Sequence, residues 1–101
     1  MRIILFFDLP SVTKKNIREY SRFVKLLKKN GFIRMQESVF TKLALNPSAV
    51  NSCMIDLKKN LPNEGIISVL TITENQFSSI EHLIGEIDTD IIANEEKVIR
   101  L

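Results

Sequence analysis

Asp8 is the only carboxylate among the first 18 residues. It ends the run Arg2-Ile3-Ile4-Leu5-Phe6-Phe7-Asp8, two residues before Pro10. A carboxylate at the end of a strand, beside a helix start, is a common place for chemistry on a phosphate. Hard cations such as Mg2+ take carboxylate oxygens and keep several waters. One aspartate per chain is too few for such a site. A two-fold dimer can bring two copies of Asp8 around a metal that activates water against a phosphodiester. The structural alternative is an aspartate that accepts backbone N–H bonds in the turn Asp8-Leu9-Pro10-Ser11. From the residues alone, both readings stand.

The second chemical feature is cationic. After Pro10 comes a helix over about 13–30 that carries Lys14, Lys15, Arg18, Arg22, Lys25, Lys28 and Lys29, with Glu19 as its only acid. At about 100° per residue, Lys14, Arg18, Arg22, Lys25 and Lys29 share one arc, opposite the apolar stripe Ile17, Tyr20, Phe23, Val24, Leu26 and Leu27. Lysines in a first turn oppose the helix dipole, so a helix built only for stability would place acids there. Lys14, Lys15 and Arg18 beside free N–H groups make a phosphate seat. Arg34 and Lys42 in the next segment are further candidates. Base readout is not expected, because the pattern is charge without a reading helix or stacking aromatics. Contacts should go to the nucleic-acid backbone.

Other chemistry finds little support. His82, the only histidine, falls in a probable strand beside Glu81 and reads as a bystander. The three glycines, Gly31, Gly65 and Gly85, are too scattered for a phosphate loop. No cysteine–histidine spacing suits zinc. Cys53, the only cysteine, sits among Val50, Met54 and Leu57 at helical spacing and reads as core. A single cysteine forms no internal disulfide, which fits a reducing cytoplasm.

These residues must be positioned by a small set of elements. A first strand over 2–9 is apolar at five consecutive positions, Ile3–Phe7, so both its faces are apolar. Gly31 after Asn30 caps the first helix. Residues 32–45 read as one long strand or a kinked pair, with a bend at Gln36-Glu37-Ser38. Asn46-Pro47 starts a second helix that runs to about Asn60. A turn at 61–65 precedes a β-branched strand over 66–73. Glu74–Ser78 reads as a turn or a single helical turn, and 79–84 as a further strand ended by Gly85. Residues 86–90 form an acidic connector, and Val98-Ile99-Arg100-Leu101 is a final strand candidate.

This order predicts an α+β sandwich: a largely antiparallel sheet with two helices on one face. The second face needs a cover, because a contiguous apolar face of several hundred Å2 is unusual in a monomer. A homodimer packed sheet against sheet supplies it. The chain of 101 residues, 45% hydrophobic and 26% charged, suits one soluble domain over 1–85 with an extension over 86–101. No apolar run approaches the roughly 20 residues that span a membrane, and no secretory leader is expected. The net charge of +2 divides unevenly, +7 over residues 1–45 and −5 over 46–101, so only one pole attracts polyanions.

Several of these stretches together resemble a known family. The strand ending Asp8-Leu9-Pro10, the basic first helix, Gln36-x-Ser38-Val39-Phe40 and Thr71-x-Thr73 are similar to the CRISPR-associated protein two family. Ser38-Val39-Phe40-x-Lys42-Leu43-x-Leu45-Asn46, with Thr73-Glu74-x-Gln76-Phe77, resembles its type II-A branch. The resemblance covers nearly the whole chain. It implies a ferredoxin-like fold, a homodimer, and a role in spacer acquisition, with duplex DNA held across the dimer between CRISPR integrase dimers. It also implies a metal-dependent endonuclease label, with Asp8 as catalytic residue and Mg2+ ligand. Leu9-Pro10-Ser11 departs from the polar or basic residue that often follows that aspartate in the family. The terminal residues Val98, Ile99 and Leu101 are the expected partner-binding strand. A DNA-bridging scaffold, a Mg2+-dependent nuclease and a plain dimerisation module are the three functions to separate.

Overall fold

A computed structural model describes residues 1–85 as an antiparallel sheet layered against two helices. The elements run β1 (Arg2–Asp8), α1 (Lys14–Lys29), β2 (Ile33–Gln36), β3 (Val39–Leu43), α2 (Pro47–Lys58), β4 (Ile66–Ile72) and α3 (Glu74–Ser78). The four strands are ordered β2-β3-β1-β4. Strand β1 lies between β3 and β4, antiparallel to both. This central place explains its composition, since side chains on both faces meet neighbouring strands.

Alternation on β1 sorts the molecule into two sides. Ile3, Leu5 and Phe7 point into the core, where they join Phe23, Val24 and Leu27 of α1, Phe40 of β3, and Cys53 and Leu57 of α2. Both longer helices therefore cover one face of the sheet. The rings of Phe7 and Phe23 meet edge to face, their centroids 5.6 Å apart. The other face carries Ile4, Phe6 and Asp8, with Leu70, Ser68 and Ile66 opposite them on β4. Here Phe6 is 43%, Leu70 53% and Ile66 67% exposed. The expected apolar second face is present, and no element before residue 74 covers it.

The local signals explain the boundaries. Thr13 caps α1 and forms a reciprocal box with Asn16. At the other end Gly31 has φ +87°. Its N–H donates to the Lys28 carbonyl, and that of Phe32 to Leu27, the paired bonds of a left-handed glycine cap. Asn46 caps α2, with Pro47 in the first turn. Residues 32–45 form a strand pair rather than one strand. The chain turns at Glu37-Ser38 and a bulge lies between Arg34 and Gln36.

Two expectations are corrected. Residues 79–84 form no strand, and His82 accordingly lies in irregular chain. Ser79 caps α3 instead, donating to Asn75 and Gln76. The helical turn expected at Glu74–Ser78 is present as α3, opened by a capping box of Thr73 and Gln76. Ile17 does not belong to the buried stripe: it is 51% exposed. At about 100° per residue, Asn16 falls nearer the centre of the arc set by Tyr20, Phe23, Val24 and Leu27. The connector over 86–90 and the strand candidate with Val98, Ile99 and Leu101 lie outside the described residues.

Candidate nucleic-acid interface and the Asp8 strand end

Asp8 is exposed at the end of β1, paired with Ile66 and on the same face as Ile4 and Phe6. Among the described residues its carboxylate accepts no hydrogen bond and joins no ion pair, so the turn-capping bond is not made within them. Its backbone is held from the far side. Gly65 has φ +100°, and a Cβ there would lie 2.7 Å from the Asp8 carbonyl oxygen and 2.6 Å from Leu9 Cδ2. Only glycine permits that approach. Gly65 thus fixes where β1 ends, a role not legible in its spacing.

Among the described residues no three His, Cys, Asp or Glu side chains converge. Mg2+ is often held by one or two carboxylates plus substrate phosphate. Asp8 is one such carboxylate, and among the described residues no second one joins it.

The cations of α1 divide into free and committed groups. Lys14, Lys15, Arg18, Lys25, Lys28 and Lys29 are exposed on the side of α1 away from the sheet. Arg22 is committed. Its guanidinium donates to both oxygens of Glu19, at 3.2 and 3.0 Å, and to the Asn60 carbonyl beyond the end of α2. Those hydrogen bonds, with the positive field of Arg22, Lys15 and Arg18, hold the Glu19 carboxyl below its usual range. The single acid of the helix is therefore spent on Arg22.

Arg34 and Lys42 sit elsewhere. The bulge in β2 brings Arg34 opposite Phe40, on the helix-covered side, with its guanidinium 5.1 Å from the Phe40 ring centre. Lys42 pairs with Ile3 and donates to the Asn30 carbonyl at the end of α1. Both are engaged on the helix-covered side of the sheet, apart from the Lys14–Arg18 turn. Cys53 is buried, and burial pushes its thiol up against the opposing field of Lys42. That is the wrong direction for a nucleophile.

Sequence reasoning overlooked Arg2. It lies on the open face, yet its side chain is only 2% exposed. The guanidinium stacks 4.1 Å from the centre of the Phe77 ring and donates to Glu74 Oε1 at 2.9 Å. Helix α3 thus folds over one end of the open face. The signal was a lone cation in an apolar strand, together with the Thr73–Gln76 box. Burial lowers the Arg2 pKa and Glu74 opposes that shift.

A four-stranded β2-β3-β1-β4 sheet covered by two helices, the basic one following β1, defines a ferredoxin-like α+β protein. The family model for CRISPR associated protein Cas2 matches residues 1–80, and the chain belongs to that family. It is 45% identical over 101 residues to the CRISPR-associated endoribonuclease Cas2 of Treponema denticola, covering all of both chains. It is 43% identical to that of Streptococcus mutans serotype c, covering all of this chain and 93% of the relative. The crystal structure of Streptococcus pyogenes Cas2 superposes with a TM-score of 0.64 at 20% identity, over 82% of this chain and 99% of that one. That likeness bears on the fold. No helix among the described residues is long and apolar enough to cross a membrane.

Proposed function

We propose that this chain acts in CRISPR spacer acquisition as a cytoplasmic homodimeric scaffold, binding duplex DNA by its backbone and bridging it with the CRISPR integrase. The observation that carries this reading is the outer side of α1, where exposed cations face solvent and the one acid is already paired. Uncompensated positive charge along a helix suits a phosphate backbone and gives salt-dependent, sequence-tolerant binding. The open face of the sheet lies on the opposite side of the molecule. A second copy packed there leaves both basic helices outside and available. The outer edge of β4 pairs with no strand among the described residues. Strand addition there, by Val98, Ile99 and Leu101 of a second copy or by the integrase, would fit that edge.

Replacing Lys14, Lys15 and Arg18 together by Ala tests the reading. Affinity for duplexes of different sequence should fall alike. The slope of log affinity against log salt should flatten by about 2 to 3, near 0.9 for each phosphate no longer neutralised. Unchanged affinity and slope would place the DNA surface elsewhere.

The placement of Asp8 favours a second reading, a Mg2+-dependent endonuclease, in line with the endoribonuclease name of the relatives. Asp8 ends the open face, so a two-fold pairing of those faces with its axis near that end of β1 would bring the two carboxylates together. Mg2+ held by that pair would supply an activated water. Asp8→Asn keeps the shape and removes the charge. Any Mg2+-dependent cleavage should be lost, while dimerisation, DNA binding and spacer acquisition persist. Collapse of acquisition in a variant that still folds, dimerises and binds DNA would make the paired carboxylates essential and sink the scaffold reading.

A further inference from the structure

We propose that Lys58 and Lys59, at the end of α2, form a second set of phosphate contacts beside α1, so that bound nucleic acid lies across two helices rather than along one. The inference rests on the nucleic-acid reading above and extends its surface to two residues that reading does not include. Arg22 makes the juxtaposition. On α1 it stands between Arg18, four residues before it, and Lys25, three residues after it, and residues at those spacings are neighbours on a helix surface. Its guanidinium donates to the Asn60 carbonyl at 3.0 Å. Asn60 directly follows Lys58 and Lys59 in the chain. The end of α2 is thus fastened to the middle of the basic row. The chain stays beside α1 as it continues, because Pro62 and Asn63 border a shallow recess together with Lys15 and Glu19. Lys58 and Lys59 are both exposed.

Lysines at a helix C-terminus have an ordinary use, which is to bond the last carbonyls and offset the negative end of the dipole. Here other groups bond those carbonyls. The Asp56 carbonyl accepts from the Lys59 N–H and from Asn60 Nδ2, the Leu57 carbonyl from the Asn60 N–H, and the Asn60 carbonyl from Arg22. Neither the Lys58 nor the Lys59 ammonium makes a hydrogen bond or ion pair among the described residues. Both charges are left for solvent or for an anionic ligand. Glu19 would repel phosphate here, but both its oxygens accept from the same Arg22 that holds the end of α2. Asp56 and Glu64 are the other exposed acids nearby in the chain, and Lys14, Lys15, Arg18, Lys25, Lys58 and Lys59 outnumber them. Arg22 therefore acts as a positioning residue: it gives up its own charge to Glu19 and brings two further cations alongside α1.

The test uses the full chain and one DNA duplex, with salt varied from about 50 to 200 mM. Lys58→Ala combined with Lys59→Ala should lower the slope of log affinity against log salt by about 1 to 2, near 0.9 for each phosphate no longer neutralised. Lys58→Arg combined with Lys59→Arg should keep the wild-type slope, since a phosphate contact needs the charge and not the ammonium. An amine-reactive label, mapped by mass spectrometry, reads the place of contact. Saturating duplex should protect Lys58 and Lys59 severalfold, as it should protect Lys14 and Lys15. An unchanged slope in the alanine pair would overturn the second set of contacts. So would equal labelling of Lys58 and Lys59 with and without duplex. Either result leaves binding by α1 intact, because that is read separately from Lys14, Lys15 and Arg18. A wild-type chain that binds no duplex would bring down both readings together.

Discussion

On β1, Leu5 is fully buried, whereas Phe6, the next residue, is 43% exposed. The two side chains are similarly apolar and share a strand, a neighbourhood and a ladder. They differ only in which face of the sheet they occupy. The Leu5 face is closed by α1 and α2 into a packed core, and its apolar area is already withdrawn from water. The Phe6 face keeps its apolar area in reserve, bounded by the Arg2–Phe77 stack at one end and Asp8 at the other. One face is thus devoted to folding, and the other is available for association. The difference teaches that hydrophobicity on β1 serves two separate equilibria, which substitutions can separate.

The largest effect should come from the closed face. Leu5→Ala should destabilise the fold by about 2–5 kcal/mol, the range for a buried leucine that leaves a cavity. Chemical denaturation measures this directly, and a loss well under 1 kcal/mol would show that the core is not where the comparison puts it.

Phe6→Ser sharpens the contrast from the other side. The chain should keep its fold with a cost of about 1 kcal/mol or less, because little packing is lost. Its self-association should weaken at least tenfold in sedimentation at micromolar concentration. A wild-type chain that is a stable monomer there would remove the association role from this face.

The smallest effect concerns neither face but the outer side of α1. Glu19 has a depressed pKa in the folded chain, so its contribution is present above the unfolded value, near 4.3. It is lost as pH falls through the lower folded value. Glu19→Gln should therefore be slightly less stable than the wild type at neutral pH, and the gap should close below about pH 4. A gap that widens on acidification would contradict the Glu19–Arg22 pairing. Because this pair is exposed, the thermal midpoint should move only slightly.

Much of this was legible in local sequence. Five apolar residues in a row marked β1 as central, Asn46-Pro47 marked the start of α2, and Gly31 marked the end of α1. Each acts through its nearest neighbours in the chain, and backbone sterics or a capping bond suffices. The positive charge of α1 was legible for the same reason, because helical spacing alone places lysines on one side. The family resemblance carried the ferredoxin-like fold and the expectation for Asp8.

What local sequence could not decide was the fate of individual charges and small residues. Lys25 and Arg22 look alike in the helix, yet the Asn60 carbonyl and Glu19 claim only Arg22. Arg34 and Lys42 read as free cations until the bulge and the β1–β3 register set them on the helix-covered side. Arg2 is withdrawn from solvent by a helix 72 residues away. Gly65 matters because the Asp8 carbonyl passes over it. Composition and spacing determined which elements form and where charge gathers, since those depend on a few adjacent residues. The tertiary structure decided which cations stay free and which face stays open, because both depend on distant chain returning to the same place.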